Sequence, residues 1–137
     1  MLMMYEYLGR PRSILTRLRS AQARLEGLRQ SMYPSAIRYD TDKVISSPSD
    51  PMPEYAEKFD ELQDTIKQLQ QEYWKAMDDV TDIAIHLEGI EQNVIMLRYV
   101  GQKKWRQIAE ELRCSERWVF IIHRRAVKHL EKKFPNL

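Results

Sequence analysis

The chain has 137 residues, of which 31% are Asp, Glu, Lys or Arg, and its formal net charge is +2 at pH 7. A chain of this length forms one small domain, or a compact domain with an appendage, and buries a single modest core. One cysteine excludes an internal disulfide and fits a reducing cytoplasm, and the lack of any run of eighteen apolar residues excludes a transmembrane helix.

The charge is distributed unevenly along the chain. Residues 1–38 hold seven basic and two acidic residues, residues 39–89 hold four and thirteen, and residues 90–137 hold eleven and five. The basic C-terminal third suits a polyanionic partner. The apolar N-terminus has no basic segment before it and no small-residue cleavage site, so we expect no secretion signal and a cytoplasmic protein.

The first predicted helix covers about residues 13–32. Its apolar positions recur at alternating spacings of four and three, which is the heptad pattern of a helix that packs along one seam. The seam consists of Ile14, Leu18, Ala21, Leu25, Leu28 and Met32.

A loop with four prolines follows, over about residues 33–53. Structureless loops of this length are uncommon unless they are functional or disordered. Because this one contains the apolar residues Ile37, Tyr39, Val44 and Ile45, we expect part of it to lie against the helices.

The second predicted helix covers about residues 54–87 and carries its own heptad seam. The seam residues are Tyr55, Phe59, Leu62, Ile66, Leu69, Tyr73, Ala76, Val80, Ile83 and Leu87. Antiparallel pairing of the two helices buries both seams and sets a basic helix beside an acidic one. The sequence therefore predicts a long coiled-coil-like hairpin over residues 1–89, with Gly89 as a hinge. Pairing between two chains, which forms a homodimer, remains the alternative.

The remaining residues, 90–137, contain three short apolar runs at helical spacing, each closed by a turn signal. The first begins near Val94 and ends at Gly101, where a left-handed glycine is expected to stop the helix. The second covers residues 105–112. The third opens at Ser115, whose hydroxyl is expected to cap the next helix. Together the runs predict a helix-turn-helix domain.

The third run has two different faces when it is drawn as a helix. Val119, Ile122, Ala126 and Leu130 lie on the core face. In a helix-turn-helix the second motif helix lies in the major groove of DNA, so its outer residues face the bases. The base-facing residues predicted in this way are Arg117, Phe120, Ile121 and Arg124. The apolar pair suits either thymine methyl groups or burial against a protein partner.

At these residues the chain resembles region 4 of bacterial primary sigma factors, which reads the promoter −35 element. The match consists of Val94, Leu97, Arg98, Tyr99, Trp105, Ile108, Ala109, Leu112, Ser115, Val119, Ile122, Ala126 and Leu130, and it covers about a third of the chain. The whole chain, including the loop segments at residues 39–44 and 47–50, looks like the small sigma-like regulators encoded by phages and prophages of Gram-positive bacteria.

This resemblance implies a transcription regulator without catalytic activity, located in the cytoplasm of the bacterial host cell. Its expected partners are double-stranded DNA and RNA polymerase, which it would contact at the flap. It would recruit or modulate the polymerase at promoters. The residues depart from the sigma pattern at three places. Arg113 stands where the family usually has glycine, and Lys104 stands where it often has a capping Ser or Thr. Phe120 and Ile121 replace a polar pair, so the −35 consensus is not carried over.

A second set of residues is expected to contact DNA phosphates. These are Lys103, Lys104, Arg106, Ser115, Trp118, Arg125 and Lys128. The cations at the start of the first motif helix face the backbone when the next helix is in the groove, although a plain solvated helix start explains them nearly as well. For Lys128, an ordinary surface position is the simpler reading.

No catalytic, metal or cofactor site is predicted. Cys114 fits a buried core thiol. His123 and His129 fall about 120° apart on a helix, which is the wrong geometry for joint metal ligation. Asp40 and Asp42 lack the glycine and the further acidic ligands of a calcium loop.

Two other functions remain as alternatives. A phage small terminase-like DNA-packaging protein also joins a helix-turn-helix to a helical hairpin, and it works as a ring of subunits. A protein-only adaptor of RNA polymerase would bury Phe120 and Ile121 in its partner and never touch DNA.

Overall fold

The structure, a computed structural model, describes residues 3–32 and 52–137. Within these ranges the chain forms helices and no strand, so the predicted all-α class is confirmed. The five α-helices are α1 (Met4–Met32), α2 (Met52–Ala84), α3 (Gly89–Ile95), α4 (Trp105–Leu112) and α5 (Glu116–Lys133), and a π-helical turn at Met96–Val100 continues α3. Most of the predicted loop, including Ile37, Tyr39, Asp40, Asp42, Val44 and Ile45, lies outside the described residues.

Helix α1 begins at Met4, well before the predicted start near residue 13. The prediction was too short because the seam continues toward the N-terminus through Met4, Leu8 and Pro11, which are all buried. Pro11 lies inside the helix and removes one backbone hydrogen bond. Burial of this apolar face opposes that loss, so the helix continues through the proline.

The two predicted seams are buried to different depths along their length. The buried positions are Ile14, Leu18, Ala21, Leu69, Ala76, Val80, Ile83 and Leu87. The half-buried positions are Leu25, Leu28, Tyr55, Phe59, Leu62, Ile66 and Tyr73. The side chain of Met32 lies outside the described part. Burial is therefore deepest where α1 begins and α2 ends.

The chain divides into two compact units. Unit 1 combines Met1–Leu15 with Glu72–Leu137, and unit 2 consists of Thr16–Gln71. The sequence prediction drew its boundary near residue 89 instead. In the structure the first turns of α1 and the last turns of α2 belong to the same unit as α3, α4 and α5.

Unit 1 has a main core to which distant parts of the chain contribute. Its buried members are Met4, Leu8, Val80, Ile83, Ala84, Leu87, Ile95, Ala126, Val127 and Leu130. Burial of one large aliphatic side chain is worth about 1.5–3 kcal/mol, so the two members from α1 make a substantial contribution. The start of α1 is thus a structural part of the unit that carries α5.

The helices of unit 2 are less deeply buried against each other than those of unit 1. Between the parts of α1 and α2 that it contains lies an open groove of about 610 Å³, lined by both helices. The guanidinium of Arg29 lies 5.9 Å from the ring centroid of Phe59, so α1 contacts the start of α2 within this unit.

The turn after α3 differs from its prediction at Gly101. Gly101 has φ −76°, and the left-handed residue is the next one, Gln102, with φ 55°. A glycine is needed at position 101 for space, because a Cβ there would lie 3.0 Å from the carbonyl oxygen of Leu97. That oxygen accepts the backbone N–H of Lys103 at 3.0 Å, which limits its movement. Gly89, in contrast, does take a left-handed conformation, with φ 58°.

None of the described helices combines the length and the apolar character needed to cross a membrane.

Candidate nucleic-acid interface

Helices α4 and α5 are joined by three residues, Arg113, Cys114 and Ser115. Arg113 adopts the left-handed conformation, with φ 55° and ψ 50°. The backbone N–H of Cys114 donates to the carbonyl of Ala109 at 3.0 Å, and that of Arg113 donates to the carbonyl of Glu110 at 3.2 Å. Together these bonds form a Schellman motif, which satisfies carbonyls at the end of α4 and turns the chain toward α5.

The left-handed conformation of Arg113 leads to a stability prediction. Glycine adopts this conformation without steric cost, although it also makes the unfolded chain more flexible. We expect Arg113→Gly to raise the free energy of unfolding by up to about 1 kcal/mol. Arg113→Val should lower it, because a β-branched residue is disfavoured at positive φ. Urea denaturation of both variants measures this difference, and a glycine variant less stable than the valine variant would contradict it.

Both helices begin with a hydrogen-bonded cap. The hydroxyl of Ser115 accepts the backbone N–H of Trp118 at 3.1 Å, which confirms the cap predicted for α5. Lys104, at the start of α4, has no side-chain acceptor for this purpose. Instead the side-chain oxygen of Gln107 accepts the backbone N–H of Lys104 at 3.0 Å. The lysine is therefore tolerated because Gln107 provides half of a capping box.

A second apolar cluster fixes which face of α5 points outward. Its buried members are Val94, Ile108, Ala109, Val119 and Ile122, and they join α3, α4 and α5. Val119 and Ile122 are on the face predicted to be core, as are the buried Ala126 and Leu130. The opposite face of α5 remains for contacts outside the molecule.

The four residues predicted to face bases lie along this outer face. Arg117 and Arg124 are exposed, Phe120 is 43% exposed, and Ile121 is half-buried. Lys128 continues the same stripe one turn further. Within the described ranges, the side chains of Arg117, Arg124 and Lys128 make no ion pair with a carboxylate. Among the described residues, this stripe therefore presents positive charge that no carboxylate neutralises.

Two of the cations predicted to contact phosphates near the start of α4 do have carboxylate partners. Lys103 lies 3.9 Å from Glu111, and Arg106 lies 3.5 Å from Glu110. Exposed pairs of this kind contribute about 0–1 kcal/mol and exchange easily for other partners. Lys104 is exposed. Phosphate contact by Lys103 or Arg106 would therefore compete with an intramolecular pair.

Trp118 and Arg125 form a pair beside the outer stripe of α5. The guanidinium of Arg125 lies 5.4 Å from the ring centroid of Trp118, whose side chain is 41% exposed. The pair is a cation–π contact that leaves both groups accessible.

Comparisons with protein-family models, curated proteins and solved structures find no match to this chain.

Phe120 is held by an aromatic neighbour on α4. Its ring centroid lies 4.9 Å from that of Trp105, at an angle of 51°. The guanidinium of Arg98 lies 4.3 Å from the Trp105 ring centroid and donates to the carbonyl of Lys103 at 3.0 Å. Phe120 on the outer face thus packs against Trp105, which in turn contacts Arg98.

Sequence reasoning missed the role of His123, which it considered only as a metal ligand. His123 is 7% exposed, and its Nε2 lies 2.5 Å from the hydroxyl oxygen of Tyr99. The rings of Tyr5 and Trp105 also contact it, at centroid distances of 5.8 and 4.8 Å. Burial and then the positive charge of Arg98 lower the pKa of His123 to about 4, so the imidazole is neutral at pH 7.

The pKa of Tyr99 is shifted as well, in the direction that also keeps its side chain neutral. Burial raises the pKa of its hydroxyl to about 12. Both partners are therefore neutral over the whole physiological range, and their hydrogen bond joins the turn after α3 to α5. The sequence carried no local signal for this pair, because the two residues are 24 positions apart.

The other histidines and the cysteine lie in separate environments. Nδ1 of His129 lies 2.6 Å from a carboxylate oxygen of Glu91, and the backbone carbonyl of His86 accepts the amino group of Lys133 at 3.0 Å. Cys114 is half-buried at the edge of the second cluster rather than fully buried. In the part of the chain that the structure describes, no group of three or more His, Cys, Asp or Glu side chains is arranged to hold a metal ion.

Proposed function

We propose that this protein is a phage-type transcription regulator that binds double-stranded DNA through a helix-turn-helix formed by α4 and α5. The observation that carries the proposal is the outer stripe of α5, with Arg117, Arg124 and Lys128 exposed and unpaired among the described residues. In this motif the second helix enters the major groove. Arg117 and Arg124 would then read base edges, and Lys104, Arg125 and Lys128 would contact phosphates.

The charge distribution supports a polyanionic partner. Residues 90–137 hold eleven basic and five acidic residues. Two of the acidic side chains, Glu110 and Glu111, are paired with Arg106 on α4 and with Lys103 just before α4, and not with cations of the α5 stripe. Because phosphate contacts release counterions, the affinity for DNA should fall steeply as salt rises.

The proposed mechanism is recruitment, with no chemical step. Bound at a promoter, in the cytoplasm of a bacterial host cell, the protein would recruit or modulate RNA polymerase through the flap, which is the contact that the sigma-like resemblance implies.

The long helices α1 and α2 are proposed to pair as an antiparallel hairpin. Contacts within each unit support this arrangement. In unit 1 a guanidinium nitrogen of Arg10 lies 3.9 Å from a carboxylate oxygen of Asp79. In unit 2 the late part of α1 contacts the early part of α2 through Arg29 and Phe59. The half-buried seam of unit 2 leaves room for a homodimer, which analytical ultracentrifugation of the full chain would detect.

An arginine substitution tests base reading. We expect Arg124→Ala to weaken binding to a selected duplex by about 1–3 kcal/mol, because a bidentate arginine–guanine contact has that worth. Binding to random duplex should fall much less. Lys128→Ala is the matched control on the same stripe, and it should weaken binding to both duplexes alike. Fluorescence anisotropy at fixed salt measures the affinities of the unaltered protein and both variants for the two duplexes. An equal loss on both duplexes for Arg124→Ala would show that this arginine reads no bases.

The exposure of Phe120 favours one second candidate, a protein-only adaptor of RNA polymerase. Phe120 is 43% exposed and Trp118 on the same helix is 41% exposed, and exposed aromatic side chains also suit an apolar protein contact. Capture of polymerase by the tagged full chain in nuclease-treated extract, together with no binding to any duplex at low salt, would favour the adaptor over the DNA-binding regulator.

A further inference from the structure

We infer that the outer face of α5 selects duplex sites in which thymine methyl groups lie between two guanine-bearing base pairs. The inference rests on the proposed function and adds the class of DNA sequence that the helix recognises. It follows from the order of side chains along the exposed stripe, which is arginine, an apolar pair and arginine.

The spacing of the stripe matches a short segment of duplex. Arg117 and Arg124 are seven residues apart, which is about 10.5 Å along a helix that rises 1.5 Å per residue. Three base-pair steps of 3.4 Å cover about the same distance. The two guanidinium groups would therefore reach base pairs about three steps apart, and Phe120 and Ile121 would face the base pairs between them.

The chemistry of the middle positions favours thymine. Phe120 and Ile121 have no side-chain donor or acceptor. In the major groove, adenine, guanine and cytosine present polar edges, and only thymine adds a methyl group. An apolar side chain held against a polar edge leaves that edge without its water, which is unfavourable. Contact with a methyl group removes apolar surface from water instead.

The position of Phe120 adds to this preference because one side of the ring is already packed against the protein. It packs against Trp105 at 4.9 Å, and Trp105 in turn contacts His123 at 4.8 Å and the guanidinium of Arg98 at 4.3 Å. A side chain that is ordered before binding loses less entropy when its partner arrives. The flanking guanidinium groups, unpaired among the described residues, favour DNA over an apolar protein surface as the occupant.

The experiment begins with selection of bound duplexes from a random pool by the full chain at low salt. We expect an enriched core with thymine flanked by guanine on either side. Uracil then replaces the thymines of that core, which removes only the methyl groups and leaves base pairing unchanged. Affinity should fall about three- to fourfold for each methyl group that the protein contacts. Uracil outside the core should have no effect.

Two variants connect this effect to the apolar pair. Phe120→Ala should bind the thymine and uracil duplexes with more similar affinities, whereas Lys128→Ala should weaken both and keep the ratio between them. Because Phe120→Ala also removes a contact with Trp105, the uracil comparison on the unaltered protein remains the deciding measurement. Equal affinity for thymine and uracil cores, or binding without any enriched sequence, would overturn the inference and leave DNA binding intact. No binding to any duplex at low salt would overturn both.

Discussion

Replacement of Leu8 by alanine is expected to lower the free energy of unfolding of unit 1 by about 2–5 kcal/mol. Leu8 is 0% exposed and belongs to the main core with Val80, Ile83 and Leu130. The substitution removes apolar contacts and leaves a cavity lined by residues that come from α2 and α5 as well as α1. A rigid core of this kind relaxes only partly around such a cavity.

Tryptophan fluorescence during urea denaturation isolates this effect. All three tryptophans, Trp74, Trp105 and Trp118, belong to unit 1. Leu28→Ala is the matched control, because it makes the same change on the same helix at a half-buried position in unit 2. We expect it to shift the fluorescence transition much less than Leu8→Ala. If the two variants had the same transition as the unaltered protein, the first turns of α1 would not contribute to the core that supports α5.

The sequence predicted correctly those features that depend on residues close together in the chain. The heptad spacing in the middle of the chain predicted α2 to within three residues at each end, as Met52–Ala84 against about 54–87. Ser115 followed by an apolar stripe predicted the start of α5 and its cap, because both depend only on residues within one or two turns. The core face of α5 followed from the same periodicity.

The sequence did not predict those features that depend on contacts between residues far apart in the chain. The start of α1 depends on Met4 and Leu8 finding partners more than seventy residues away, and no local signal outweighs the proline that follows them. The neutral state of His123 depends on Tyr99 and on the aromatic rings around it, which the fold brings together. At the turn after α3, Gly101 is needed because the carbonyl of Leu97 lies too close for a side chain. The left-handed conformation is found at the next residue, Gln102.

The sequence predicted which residues belong to the candidate interface, but not which of their charges are already paired within the protein. Periodicity identified Arg117 and Arg124 as outward-facing, and both are exposed. It gave no indication that Lys103 and Arg106 have carboxylate partners on α4, since those pairs depend on side-chain geometry. The cations of α5 are therefore the better candidates for direct contact with a polyanion.

Stability below pH 6.5 is expected to depend strongly on His123. In the unfolded chain its pKa is about 6.5, and in the folded protein burial lowers the pKa to about 4. Between these values the unfolded chain binds a proton that the folded protein does not bind, so acidification favours unfolding. The stabilisation is complete above pH 6.5 and is lost as the pH falls toward 4. The loss amounts to about 3 kcal/mol, at 1.36 kcal/mol for each unit of pKa difference.

A neutral substitution separates this effect from the titration of carboxylates. His123→Gln keeps a polar partner for Tyr99 but does not titrate, so its unfolding free energy should lack this component of the pH dependence. We expect the stability advantage of the unaltered protein over His123→Gln to shrink by about 3 kcal/mol between pH 7 and pH 4. His86→Gln, which makes the same change at an exposed histidine of the same unit, is the matched control for the substitution itself. Urea titrations at half-unit pH intervals measure the three profiles, and parallel curves for the unaltered protein and His123→Gln would mean that folding does not shift the pKa of this imidazole.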